Sequence, residues 1–201
     1  MQPDLFGGPQ ATPSIPGLTY QADFLAPEEE AQLLAILQTL PLQPAQYKSY
    51  EARRKVLSFG GAYDFTANRL RPGPPLDERL HPLRSRVAAW MGVAPQALVQ
   101  VLVAEYQPGT PLGWHRDVPD FESIAGVSLG APARLRFRPY PPDEAAKRKA
   151  VQLEVAPRSI YRMEGPARWG WQHSVPAVEA LRWSITFRTA RGQSGSARFV
   201  D

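Results

Sequence analysis

Arg182-Trp183-Ser184-Ile185-Thr186-Phe187-Arg188 alternates strictly between polar and large apolar residues. Successive side chains on a strand point to opposite faces, so Arg182, Ser184, Thr186 and Arg188 share one face and Trp183, Ile185 and Phe187 the other. The plainest reading is a half-buried strand with its polar side in water. The two arginines, however, stand roughly 20 Å apart along such a strand, a spacing suited to the two ends of one pocket. Outward from this stretch, the chain from Leu98 onward breaks into short β-like runs punctuated by Pro and Gly: Leu98–Tyr106, Leu112–Asp117, Ser123–Leu129, Arg134–Phe137, Ala150–Val155, Ser159–Met163 and Leu181–Thr189. Seven runs at this spacing predict a β-sandwich or barrel.

The half before Leu98 reads differently. Pro27-Glu28-Glu29-Glu30 supplies the proline and acidic first turn of a helix, followed by Leu33, Leu34, Leu37 and Leu40 at helical spacing. Residues 76–92 predict a second helix, with Leu80, Leu83, Val87 and Trp90 on one stripe and Gly92 as its stop. Two helices followed by a β-core make the class α+β. Residues 1–17, with four prolines, and residues 193–201 read as tails; 18–97 and 98–192 are the helical segment and the core of one domain.

At 201 residues, with 43% hydrophobic and 21% charged residues, the chain is neither disordered nor short of a core. No apolar run reaches the length of a membrane span, and Met1 to Gly8 carries no secretory pattern. The absence of cysteine removes disulfides, thiolate zinc sites and cysteine nucleophiles. The expectation is a cytoplasmic monomer. The net charge is +4, and 19 of the 23 basic residues are arginine, whose planar fork holds carboxylates and phosphates bidentately.

Only three histidines are present, two of them in Trp114-His115-Arg116-Asp117 and Trp171-Gln172-His173-Ser174. On a strand, His115 and Asp117 aim to the same side. With a second imidazole from a later strand or turn they would form a facial triad, a ligand set suited to non-haem Fe(II). His-x-Asp alone is common by chance, and it gains weight from its company. Tyr106-x-Pro108-Gly109, His115-x-Asp117, Val127-Ser128-Leu129-Gly130, His173 and Arg182-x-Ser184-x-Thr186-x-Arg188 resemble, in order, the AlkB-type Fe(II)- and 2-oxoglutarate-dependent dioxygenases.

The resemblance covers about residues 98–192 and implies a double-stranded β-helix (jelly-roll) core preceded by helices and a nucleotide-recognition lid. It makes His115, Asp117 and His173 the iron ligands. Arg182 would take the distal carboxylate of 2-oxoglutarate, Arg188 would lie nearer the metal, and Tyr106 would contact the co-substrate. Ser184 stands where many members have asparagine. With O2, such a site converts 2-oxoglutarate to succinate and CO2 while hydroxylating a C–H bond, and an N-methyl group so attacked leaves as formaldehyde. The implied target is an alkylated base in DNA or RNA. Pro119 replaces an acidic residue that repair members carry near the substrate, so action on tRNA or a protein side chain, or a non-catalytic binding module, stays open. Arg53-Arg54-Lys55 resembles the lid's phosphate-contacting region, with Tyr47, Tyr50 and Tyr63 as stacking candidates. Arg134, Arg136 and Arg138 share one strand face that could meet phosphates.

Overall fold

The computed structural model describes residues 12–47, 50–64, 69–144 and 149–192. Two antiparallel sheets face each other. The larger runs β1-β11-β8-β13-β6-β3-β2 and the smaller β10-β9-β12-β7, while β4 and β5 pair as a separate hairpin. In chain order the strands are β1 Leu18–Gln21, β2 Gln43–Tyr47, β3 Tyr50–Phe59, β4 Gly61–Asp64, β5 Arg69–Pro72, β6 Leu98–Tyr106, β7 Leu112–His115, β8 Phe121–Gly130, β9 Ala133–Pro139, β10 Val151–Val155, β11 Ser159–Met163, β12 Trp171–Val175 and β13 Arg182–Ala190. The helices are α1 Pro27–Leu37, α2 His81–Met91 and α3 Gly165–Trp169. This is the expected α+β jelly-roll.

The alternation of β13 does what its sequence dictates. It lies in the middle of the large sheet, between β8 and β6. Trp183, Ile185 and Phe187 pack outward into a core shared with Leu33 and Leu37 of α1 and Leu83 and Val87 of α2. The other face of β13 turns inward, toward the smaller sheet. The polar side of this strand is therefore buried, not wet: Arg182, Ser184, Thr186 and Arg188 are all buried. α1 starts at Pro27 as predicted, with the Glu29 carboxylate accepting from the Ala26 amide at 2.7 Å. Gly92 ends α2 at φ +70°, a backbone conformation that disfavours any residue with a Cβ.

Three expectations change. Residues 18–97 supply β1, β2 and β3 to the large sheet, so the helical segment and the core share one sheet. Residues 12–17 are not a free tail: Ile15 is buried, and the Pro16 and Gly17 carbonyls accept from Ala167 and Glu164 amides. Residues 1–11 and 193–201 lie outside the described residues. The strand read as Leu112–Asp117 ends at His115, which leaves Asp117 in the following loop. β12 supplies the later strand on which a second imidazole, His173, was expected.

Candidate metal and co-substrate site

His115 and His173 face each other as a cross-strand pair on β7 and β12, with ring centroids 4.2 Å apart. The His173 Nε2 lies 3.6 Å from the Asp117 carboxylate. One ligand atom from each of His115, Asp117 and His173 can be chosen so that all lie within 4.8 Å of one another, and no other such cluster occurs among the described residues. His115 Nδ1 sits 2.8 Å from the Gly113 carbonyl. That contact requires the proton on Nδ1 and leaves Nε2 as a free lone pair.

Burial lowers the pKa of His115, and burial together with the neighbouring His115 takes His173 down to about 3. Burial pushes the Asp117 carboxyl up, but Arg188 and the two imidazoles outweigh it and hold the group well below the usual carboxylate range. Near neutral pH the cluster therefore presents two neutral imidazoles and one carboxylate. These are the protonation states that a divalent cation requires.

Asp117 is held from two sides. Arg188 donates to its Oδ1 from Nε at 3.0 Å and Nη2 at 2.6 Å, and from Nη1 to the Gln100 side chain at 2.7 Å. Gln100 in turn donates to Ser58 and to the Gly61 carbonyl, which ties the carboxylate to the β3–β4 turn. Arg168 of α3, also buried, donates to the backbone carbonyls of Asp117, Val118 and Phe121. Sequence reasoning missed Arg168. A buried arginine that satisfies carbonyls instead of an acid leaves no pairing pattern to read.

Between the sheets lies a cavity lined by the three clustered residues and by Arg54, Tyr106, Tyr161, Arg182, Ser184 and Arg188. Arg182 donates from Nε to Ser128 at 3.2 Å and stands 5.0 Å from the centre of the Tyr106 ring. Its Nη1 is buried and has no hydrogen-bond partner. An orphaned cationic donor aimed into a cavity fits a carboxylate ligand. Burial pushes the Tyr106 phenol up, but Arg54 and Arg182 outweigh it and bring it below its ordinary value.

The basic triplet does not act as one surface. Strand alternation sends Arg53 and Lys55 outward, where Lys55 lies 3.7 Å from Glu105. It sends Arg54 inward, where Arg54 is buried and donates to the Tyr106 hydroxyl at 3.3 Å. Arg54 is therefore a lining residue of the cavity and not a contact for external phosphate. Tyr63 sits on β4 opposite Leu70, and Tyr47 pairs with Tyr50; the side chains of all three lie outside what is described. Arg136 and Arg138 stand on the outer face of β9, over the Trp114 ring and bonded to Ser174 and Gln172. They point away from the cavity. Pro119 is exposed in the loop after Asp117.

Residues 17–191 match the family model of the 2OG-Fe(II) oxygenase superfamily. The chain is 28% identical over 212 residues to the alkylated DNA repair protein ALKBH8 homolog of Arabidopsis thaliana, covering 93% of this chain and 59% of that protein. It is 34% identical over 159 residues to the DNA oxidative demethylase ALKBH2 of Mus musculus, covering 70% and 63%. The match thus spans less than two thirds of these relatives. Among solved structures, OsALKBH1 superposes with a TM-score of 0.67 at 14% identity, covering 86% of this chain and 96% of that one. A Pseudomonas putida prolyl-4-hydroxylase superposes at 0.61 and 16%, covering 87% and 93%. Both show the fold.

Proposed function

The chain belongs to the 2OG-Fe(II) oxygenase superfamily, with AlkB-type sequence relatives, and from that premise we propose that it demethylates alkylated bases in DNA or RNA, releasing succinate, CO2 and formaldehyde. The observation that carries this reading is one cavity with a His115–Asp117–His173 cluster at one end and the orphaned Arg182 donor at the other. A dicarboxylate with a metal-binding head and a charged tail would satisfy both ends at once. Support for a nucleic-acid target comes from the two relatives named for alkylated-DNA repair and DNA demethylation, and from the outward cations Arg53 and Lys55 on β3, the strand next to the β2 edge of the sheet.

In this reading His115, Asp117 and His173 hold Fe(II), and Arg182, Tyr106 and Ser184 hold the distal carboxylate of 2-oxoglutarate. When bound, Fe(II) with 2-oxoglutarate and O2 supplies the oxidation of a C–H bond. The chain's own residues do the rest. The Gly113 carbonyl fixes the tautomer and aim of His115. Arg188 keeps Asp117 ionised and correctly turned, and Arg168 fixes the loop that carries it. The apolar walls Leu102, Ile124, Leu135 and Val175 limit water in the cavity.

The test is incubation with Fe(II), ascorbate and 2-oxoglutarate of a panel of oligonucleotides bearing methylated adenine, methylated cytosine or an etheno base. Mass spectrometry should show loss of the methyl or etheno group from at least one of them. Succinate formation stimulated by a protein, or by a tRNA that gains oxygen without losing a methyl group, with every oligonucleotide unchanged, would overturn the base-demethylase assignment.

A further inference from the structure

Tyr161 lies on β11, within the run Ser159–Met163, and its surroundings are not ordinary. It pairs across β11 and β8 with Gly126, which pairs in turn with Thr186 of β13. A Cβ built on Gly126 would fall 2.4 Å from the Tyr161 Cζ and 2.5 Å from its hydroxyl oxygen. The phenol ring therefore lies across strand β8, in the space a side chain at 126 would fill, and its hydroxyl reaches toward the next strand. The neighbouring inward positions of β8, Ile124 and Ser128, both carry side chains. Gly126 is the gap through which the ring passes.

The hydroxyl arrives among donors. Tyr161 is buried, lines the cavity, and has no hydrogen bond to any described residue. Among the charged side chains, the Arg182 guanidinium acts on it most strongly. Arg182, which lines the same cavity, carries an unpartnered Nη1. The Tyr106 oxygen already accepts from Arg54, so its own proton is left to donate. Among the described residues the one acid lining the cavity is Asp117, bound to Arg188. A cluster of donors and hydroxyls without an acidic partner calls for a carboxylate from outside the chain. Burial raises the Tyr161 phenol to about 12, so it remains a neutral donor at any working pH.

We propose that Tyr161 donates a hydrogen bond to the distal carboxylate of 2-oxoglutarate, as a further donor beside Arg182, Tyr106 and Ser184, and that Gly126 exists to let it reach. This rests on the reading of Arg182 as the distal-carboxylate residue. The inference adds a co-substrate contact from β11, a strand with no part in the motif set.

The test is anaerobic calorimetric titration of the Fe(II)-loaded protein with two probes. 2-Oxoglutarate carries the distal carboxylate; oxalate has the metal-chelating oxygens without it. Tyr161→Phe removes only the hydroxyl and should weaken 2-oxoglutarate binding about tenfold, as expected for one hydrogen bond to a charged group, while oxalate binds as before. Gly126→Ala should displace the ring and give a similar loss, with no further loss when added to Tyr161→Ala. If Gly126→Ala does not fold, the paired titrations of Tyr161→Phe decide alone. Unchanged 2-oxoglutarate affinity in Tyr161→Phe, or an equal loss for both probes, overturns the proposal. A wild-type protein that binds oxalate but not 2-oxoglutarate would overturn the underlying reading of Arg182 itself.

Discussion

On the smaller sheet the cavity is lined by two imidazoles, His115 and His173, side by side on β7 and β12. On the larger sheet it is lined by Arg54, Arg182 and Arg188 with Tyr106 and Tyr161. Burial keeps the imidazoles neutral, so with Asp117 that wall attracts a cation. The facing wall repels a cation and attracts an anion. Two walls of opposite preference a few residues apart are costly unless one ligand joins them, and a metal chelated by a dicarboxylate does so. Asp117 is the hinge of this arrangement. It belongs to the metal cluster yet is bonded to an arginine of the other sheet.

The largest expected effect comes from breaking the imidazole wall. His173→Ala should abolish Fe(II)-dependent succinate formation while circular dichroism and the melting curve stay close to wild type. His115→Ala and Asp117→Ala should do the same. Wild-type succinate yield from any of the three would remove that residue from the metal site.

The next effect comes from the arginine wall. Arg182→Lys should raise the KM for 2-oxoglutarate by about tenfold or more, because an ammonium cannot copy the guanidinium fork, with Fe(II) affinity little changed. An unaltered KM would place the distal carboxylate elsewhere.

A smaller effect sharpens the role of the hinge. Arg168→Met keeps bulk and removes the donors to the Asp117, Val118 and Phe121 carbonyls. Fe(II) affinity should fall about tenfold, the range seen when outer partners of metal ligands are lost. Fe(II) binding at wild-type strength would show that the loop holds itself.

The smallest effect separates inside from outside on β3. Arg53→Ala with Lys55→Ala should weaken oligonucleotide binding similarly for every sequence. It should also flatten the salt dependence of log K by up to about 0.7 per lost contact on single strands. Arg54→Ala should leave that slope alone and instead weaken 2-oxoglutarate binding. The reverse pattern would return Arg54 to the nucleic-acid surface.

Much of this was legible in the chain because alternation is a local signal. β6 and β11 form over the spans their patterns predict, and β13 is off by one residue at each end. β12 was not legible. Trp171-Gln172-His173-Ser174-Val175 is short, sits between Gly170 and Pro176, and buries three consecutive residues instead of alternating. Strand alternation alone separates buried Arg54 from exposed Arg53 and Lys55, a division that a run of three cations hides. Tyr161 could not be found at all from sequence. Its setting depends on a glycine on another strand, and only the β8–β11 register brings the two together.

The central claim is that one ligand bridges the two walls, and the most direct test is 2-oxoglutarate affinity measured without oxygen, with and without Fe(II). Bridging predicts that Fe(II) tightens 2-oxoglutarate binding about tenfold or more, and reciprocally. It predicts that the gain disappears in His115→Ala, while Arg182→Lys weakens binding whether or not the metal is present. Equal affinity with and without Fe(II) in the wild-type protein would contradict the account.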